Sequence, residues 1–387
     1  MKKFLAILMA ALMVAAMFAG CGGKTNYAAN NTEYVIGVSG PLTGSASIYG
    51  EAVKNAAQMA VDEINAAGGL NGVNFKLVAM DDMNDATKIS TNYSSMLEGG
   101  MQLSLGTVTT KPALEFKNLS AEDNVFFLTP SASGDDVPAN PNGYQMCFAD
   151  GNQGKVAAQF VNDSFAGQTI GVFYKSDDPY SKGIFDQFKA NLDVNSVKTI
   201  ETSFTDANAT DFATQIDTLK DCKFIFMPTY YQPASIFMTQ AKATLAADAV
   251  YYGCDGFDGI DSAEGFDITT IPQKVTMLSH FNSKATEGAA KSFIDKYVSK
   301  YNKETLNQFG ASAYDCVYAL YGAMKKAIDG GKKIPVTISA SDLCDILKEQ
   351  FDGGYTLTNA VTGDKITWAS TGYVDKSAIQ YVIKEAN

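Results

Sequence analysis

Few residues in this chain are equipped for covalent chemistry. There is one histidine, His280, so a histidine-based triad would rest on it alone and no histidine cluster can hold a metal. A single histidine beside a strand end is more often structural than catalytic. No GxxxxGK[ST] phosphate loop, GxGxxG turn or GxSxG elbow occurs. The adjacent acids Asp81-Asp82, Asp135-Asp136 and Asp177-Asp178 are expected on solvated turns, and spacing alone does not make them a glycosidase pair. The chain is therefore not expected to be an enzyme, and no cofactor or metal is expected. What it offers instead is hydroxyls, rings and one acid just past the ends of apolar runs: Ser39, Thr107, Thr109, Thr129, Ser131, Ser133, Tyr180, Tyr230 and Asp255. Hydroxyls with free N–H groups at a helix start suit a carboxylate. Asp255, in the turn Gly253-Cys254-Asp255-Gly256, suits an ammonium, and aromatic rings suit an apolar side chain. Together they would clamp a zwitterion, although Ser and Thr in such loops also serve as plain helix caps.

These residues need a frame, and the frame is an alternation of strands and helices. Tyr34–Ser39, Phe75–Met80, Leu103–Leu105 and Val125–Leu128 are short apolar runs that read as buried strands. Val53, Ala57, Ala60 and Ile64 recur at helical spacing before Gly68-Gly69, and helix signals return over 86–97. The pattern restarts after Asp150, with strands at 169–174, 197–204, 224–227, 250–252 and 275–278 and helices at 182–192 and around Phe212, Ile216 and Leu219. Alternation of this kind predicts parallel sheets covered on both faces, here in two successive units. Open α/β sheets bind ligands outside the carboxyl ends of their strands, where the polar residues fall. The tail over 365–383 alternates around Ser370-Thr371-Gly372 and predicts a hairpin able to cross between the units, with Trp368 a packing anchor in it.

Gly37-Val-Ser-Gly-Pro-Leu-Thr-Gly44, Tyr49-Gly50, Ala60-Val-Asp-Glu-Ile-Asn65, Gly68-Gly69 and Asp81-Asp82 resemble the opening of leucine/isoleucine/valine-binding proteins. The likeness continues through Thr109-Thr-Lys-Pro-Ala113, Thr129-Pro-Ser-Ala-Ser133, Tyr144-Gln145, Tyr230-Tyr231 and Gly253-Cys-Asp-Gly256. The resemblance implies the type I periplasmic-binding-protein fold: two Rossmann-like lobes with parallel sheets joined by a hinge, lobe 1 from 33–150 and 281–377, lobe 2 from 151–280 and 378–387. It implies a monomeric receptor of an ABC importer that closes over an amino acid, branched-chain or aliphatic, and delivers it to a permease with its ATPase subunits. It further implies that Thr107 binds the ligand carboxylate, Ser131 gives backbone contacts, and Ser133 gives backbone and hydroxyl contacts. Tyr49 would close over the ligand, Tyr180 and Tyr230 would come from lobe 2, Asp255 would pair with the ammonium, and Phe309 would line the side-chain pocket. The relatives usually carry Glu where this chain has Asp255. A sensor of the same fold, presenting its ligand to a signalling receptor, would share every one of these features.

At the N-terminus, Lys2-Lys3, an apolar stretch over 4–18 and Ala19-Gly20 have the layout of a secretory signal peptide. Phe18-Ala19-Gly20-Cys21 resembles the lipoprotein cleavage box, with Phe where Leu is usual, which implies a lipid on Cys21. Residues 21–32 read as a flexible tether. The expected location is the outer face of the cytoplasmic membrane, in a Gram-positive cell. Loss of residues 1–20 removes two lysines, leaving 28 basic against 42 acidic residues, a balance of −14. That excludes a basic footprint for nucleic acid. Cys147, Cys222, Cys254, Cys316 and Cys344 are widely spaced without CxxC and read mostly as buried apolar residues, with one bridge left open.

Overall fold

The computed structural model describes residues 25–386. The leader and Cys21 lie outside the described residues. All seven residues of β1 (Tyr34–Gly40) are buried, because an apolar run with no polar face needs cover on both sides. β2 (Phe75–Asp81) and β3 (Leu103–Thr107) flank it in parallel, Tyr34 facing Phe75 and Ile36 facing Leu103. β4 (Phe127–Thr129) and β5 (Gly143–Gln145) complete a sheet of order β2-β1-β3-β4-β5. A second sheet holds β6 (Thr169–Lys175), β7 (Lys198–Phe204), β8 (Phe224–Met227), β9 (Val250–Gly253) and β10 (Lys274–Ser279), all parallel. The chain is thus an α/β protein of two parallel-sheet lobes.

Helices cover both faces of each sheet. In the first lobe α1 (Ser47–Ala66) places Val53, Ala57 and Ala60 against Ile36 and Leu105, while α2 (Ile89–Glu98) and α3 (Thr110–Asp123) cover Val35 and Phe127 from the other side. In the second, α4 (Asp150–Ser164) and α5 (Pro179–Asn191) pack on Ile170, Val172 and Phe226. α6 (Ala213–Leu219) and α7 (Tyr231–Ala241) cover Phe173 and Ile225 opposite. Three later helices, α8 (Gly288–Lys300), α9 (Gln308–Asp329) and α10 (Ala340–Asp352), return to the first lobe, α9 lying along α1 and α10 against β3.

The backbone passes between the lobes three times, after β5, after β10, and after Trp368. These passages lie side by side. Trp368 Nε1 donates to the Gln145 carbonyl at 2.7 Å, Gln145 N donates to the Gly372 carbonyl at 2.9 Å, and the His280 ring meets Phe148 edge-on at 5.0 Å. His280 is buried and shares a 2.7 Å hydrogen bond with Ser312, so its place is structural.

The tail departs from the expected hairpin. The ribbon is instead β11 (Thr356–Ala360) with β12 (Gly363–Thr367), and the turn at 370–372 closes only the single bridge Trp368–Val374. β13 (Ile379–Lys384) then crosses alone and pairs antiparallel with β10. Alternation in the tail marked an edge strand, whose partner lay a hundred residues back rather than across the nearest turn. The five cysteines are buried and unbridged.

Candidate functional site

The carboxyl ends of both sheets face one another across a narrow cavity. From the first lobe it is lined by Tyr49, Val108, Thr109, Thr110, Ser131, Ser133 and Phe309, and from the second by Tyr180, Tyr230, Asp255 and Gly256. Seven of the eight residues given a ligand role by the resemblance therefore meet at one place. Thr107 does not. Its hydroxyl is buried at the end of β3 and donates to the Thr109 carbonyl at 3.2 Å, so the wall falls instead to Val108, Thr109 and Thr110. β3 runs two residues beyond Leu105, which carries Thr107 into the sheet.

On the first lobe the backbone presents donors. Thr109 is the N-cap of α3 yet makes no capping bond. Its hydroxyl donates to Asn84 Oδ1 at 2.7 Å, which leaves the first-turn N–H groups of a 14-residue helix without a side-chain acceptor. Helix starts of this kind favour an anion. Ser131 Oγ is spent on the Val108 carbonyl at 2.6 Å, and Thr129 Oγ1 on the Thr107 carbonyl at 2.8 Å, which ties the β3 and β4 loops into one rigid edge. Asp82, buried under this edge, accepts from Ser39 Oγ at 3.0 Å and Asn84 N at 2.9 Å, so the Asp81-Asp82 pair supports the loops.

On the second lobe one acid is held in place by two neighbours through three hydrogen bonds. Asp255 Oδ1 accepts from Tyr180 OH at 2.6 Å and from Gln153 Nε2 at 3.0 Å, while Gln153 Oε1 accepts from Asp255 N at 2.9 Å. Gly256 N donates to Tyr180 OH at 2.9 Å, and a Cβ at Gly256 would lie 2.7 Å from that oxygen, so only glycine allows the approach. Tyr230 stacks on Tyr180 at 4.7 Å, and its buried hydroxyl has no partner. Tyr180 stands at the start of α5, whose N-cap Asp178 is buried rather than solvated because it accepts from Ser181 N.

No lysine, arginine or histidine lines this cavity. Burial accordingly lifts the Asp255 carboxyl to about 6, although the bonds from Tyr180 and Gln153 pull the other way. Asp150, the first residue of α4, is pushed well above the carboxylate range by burial and then by the charge of Asp255. A buried acid without a cation opposite an open helix start can receive a molecule that carries both charges.

The lobes already touch across the cavity. Tyr49 OH donates to the Gly256 carbonyl at 2.5 Å and receives Tyr231 N at 3.3 Å, and its ring meets Phe309 edge-on at 4.8 Å. Gln308 N donates to Asp258 Oδ2 at 2.9 Å beside it. Thr109 was among the hydroxyls expected past the strand ends, whereas Gln153, Thr110 and Asp150 were not singled out for this site from their chemistry. The one available signal was the spacing Asp150-x-x-Gln153, which places both on one face of the first turn of α4.

A family model described as periplasmic binding protein matches residues 33–343. The chain belongs to this family. Members of it bind solutes and do not transform them. The chain is 26% identical to the Leu/Ile/Val-binding protein BraC3 of Rhizobium johnstonii, over 80% of this chain and 86% of that one. It is 25% identical to a leucine-, isoleucine-, valine-, threonine- and alanine-binding protein of Pseudomonas aeruginosa, over 79% and 81%. In fold it resembles the leucine-binding protein LivK of Thermotoga maritima, with TM-score 0.77 at 20% identity over 92% of this chain and 96% of that one. It also resembles LivJ of Streptococcus pneumoniae, solved with isoleucine, with TM-score 0.74 at 24% identity over 90% and 100%.

Proposed function

We propose that this chain is the solute receptor of an ABC importer, that it is held at the outer face of the membrane by a lipid on Cys21, and that its ligand is a small aliphatic amino acid. The observation that carries the reading is Asp255, buried without a cation across the cavity from the uncapped start of α3. The ammonium pairs with Asp255 and the carboxylate takes the N–H groups at the start of α3 with the hydroxyl of Ser133. Tyr49, Val108 and Phe309 enclose the side chain. These walls are apolar and close together, Tyr49 meeting Phe309 edge-on at 4.8 Å, which suits a small aliphatic side chain. The names of the relatives point to the same ligand class. Another solved relative from Rhodopseudomonas palustris holds benzoate, which has no ammonium and would meet Asp255 as a like charge.

Ligand docks on the first lobe, and the second closes with Tyr180, Tyr230 and Asp255. The bonds of Tyr49 to Gly256 and of Gln308 to Asp258 exist only when the lobes meet, so they favour closure once ligand supplies the missing charge. A permease then reads the closed form. A thermal-shift screen over the twenty amino acids tests the ligand: valine, isoleucine, leucine and threonine should raise the melting temperature and phenylalanine should not. Labelling with palmitate in a Gram-positive host, lost in Cys21→Ser, tests the anchor.

A further inference from the structure

Beside the main cavity, and sharing Thr110 with it, lies a second cleft of about 560 Å³ including its open mouth. Its walls include Thr110, Leu114 and Asp135 of the first lobe and Asp150, Pro179 and Asp186 of the second. No basic side chain lines it. On the helices that flank it, Lys182 is engaged with Asp186 at 2.5 Å and Lys117 with the Asp136 carbonyl at 2.6 Å. One observation lifts this above an ordinary acidic patch. Asp150 is 1% exposed, Oδ1 receives Gln153 Nε2 at 3.3 Å, the Ser133 hydroxyl is a neighbour of the carboxyl, and Oδ2 makes no hydrogen bond. That oxygen faces Gly183 on α5, where an added Cβ would stand 3.8 Å away in otherwise open space.

We propose that this cleft is a binding subsite for a primary alkylammonium group, received by Asp150 Oδ2 with its methylenes along Leu114 and Pro179. A buried carboxylate oxygen without a donor is costly, and an ammonium brings three donors and the opposite charge. A divalent metal is the poorer fit. Calcium needs six or more oxygens with several carboxylates converging, and among the described residues no three acidic, histidine or cysteine side chains converge enough to hold an ion. Because the walls come from both lobes, an ammonium here also stabilises the closed form. The amine has two sources: the end of a basic amino acid seated in the main cavity, or a separate amine beside a small ligand.

Calorimetric titration of the whole chain with n-butylamine at neutral pH, with n-butanol as the uncharged control, tests the subsite. Butylammonium should bind at least tenfold more tightly than butanol. Asp150→Asn should remove that preference. Gly183→Leu, which fills the cleft from a helix position that tolerates leucine and leaves Asp150 intact, should do the same without lowering the melting temperature. Comparing L-lysine with L-norleucine separates the sources. A lysine preference lost in both variants assigns the amine to the ligand's own chain, whereas butylamine binding that persists under saturating valine assigns it to a second molecule. Equal binding of butylamine and butanol, or variants that bind butylamine as the parent does, overturns the proposal. If valine fails to bind while butylamine still discriminates, the subsite stands and the amino-acid reading falls.

Discussion

Replacing Asp255 by asparagine is the sharpest perturbation of the proposed clamp. The side chain keeps its size, and its carbonyl oxygen still accepts from Tyr180 or Gln153, which now hold Oδ1 at 2.6 and 3.0 Å. What is lost is the charge facing the ammonium. Removing one member of a buried, hydrogen-bonded charge pair costs about 2–5 kcal/mol, and the retained shape puts this change near the lower end, about 2–3 kcal/mol. At about 1.4 kcal/mol per decade, Kd for valine should rise roughly 30- to 150-fold. The assay is isothermal titration at pH 7.5, with the ligand-free melting curve as a check on folding. The same acid sets a pH signature. Its ligand-free carboxyl titrates near 6 because of burial, and an ammonium binds only the ionised form. Affinity of the parent should be flat above about pH 7 and fall toward about tenfold per unit below 6, while Asp255→Asn shows no such slope. Burial raises Tyr180, Cys254 and Cys147 further above their already alkaline ranges, so they do not supply this slope, and Asp150, raised by burial and by the charge of Asp255, is present in both proteins compared. A Kd within threefold of the parent, or an unchanged pH slope, would refute the clamp.

Tyr49→Phe removes the bond to the Gly256 carbonyl that exists only between closed lobes, worth about 0.5–1.5 kcal/mol, so affinity should fall by roughly 2- to 12-fold with little change in ligand-free melting. Gly256→Ala puts a methyl 2.7 Å from Tyr180 OH and 2.8 Å from the Thr229 carbonyl; it should lower stability by about 1–3 kcal/mol in chemical denaturation and weaken valine binding as well. Asp82, Asp178 and Asp258 join Asp255 with burial-raised values of about 6, 6 and 7. The folded ligand-free chain therefore holds more protons than the unfolded chain between about pH 4 and 7, and its stability should decline as pH rises through that window, as read from melting temperatures. Valine should flatten the decline by fixing Asp255 in its ionised form.

The strands were legible because runs such as Tyr34–Val38 and Phe224–Met227 are apolar on both faces, which only a covered sheet tolerates. Asp255 stood out as a lone acid in a glycine-rich turn after such a run. Less could be read where function depends on which way a side chain turns. Thr107 and Thr109 look alike in sequence, and only the length of β3 decides that one is spent inside the sheet and the other faces the cavity. Asp150 and Gln153 read as ordinary polar residues at a helix start; what sets them apart is the tertiary packing that buries both beside Asp255. The tail misled because pairing distance leaves no mark on an alternating pattern. β13 reaches β10 from a segment held by Trp368 at Gln145 and by Lys376 at Thr362.

The triple passage between lobes also sets the order in which the polypeptide can mature. The second sheet is built almost wholly from a continuous stretch, β6 to β10, and can consolidate as soon as that stretch is available. The first lobe cannot, because α1 shields its apolar face with α9, near the other end of the chain. Contacts so distant in sequence form slowly. The first lobe therefore completes its packing last, when α9 is available to cover α1.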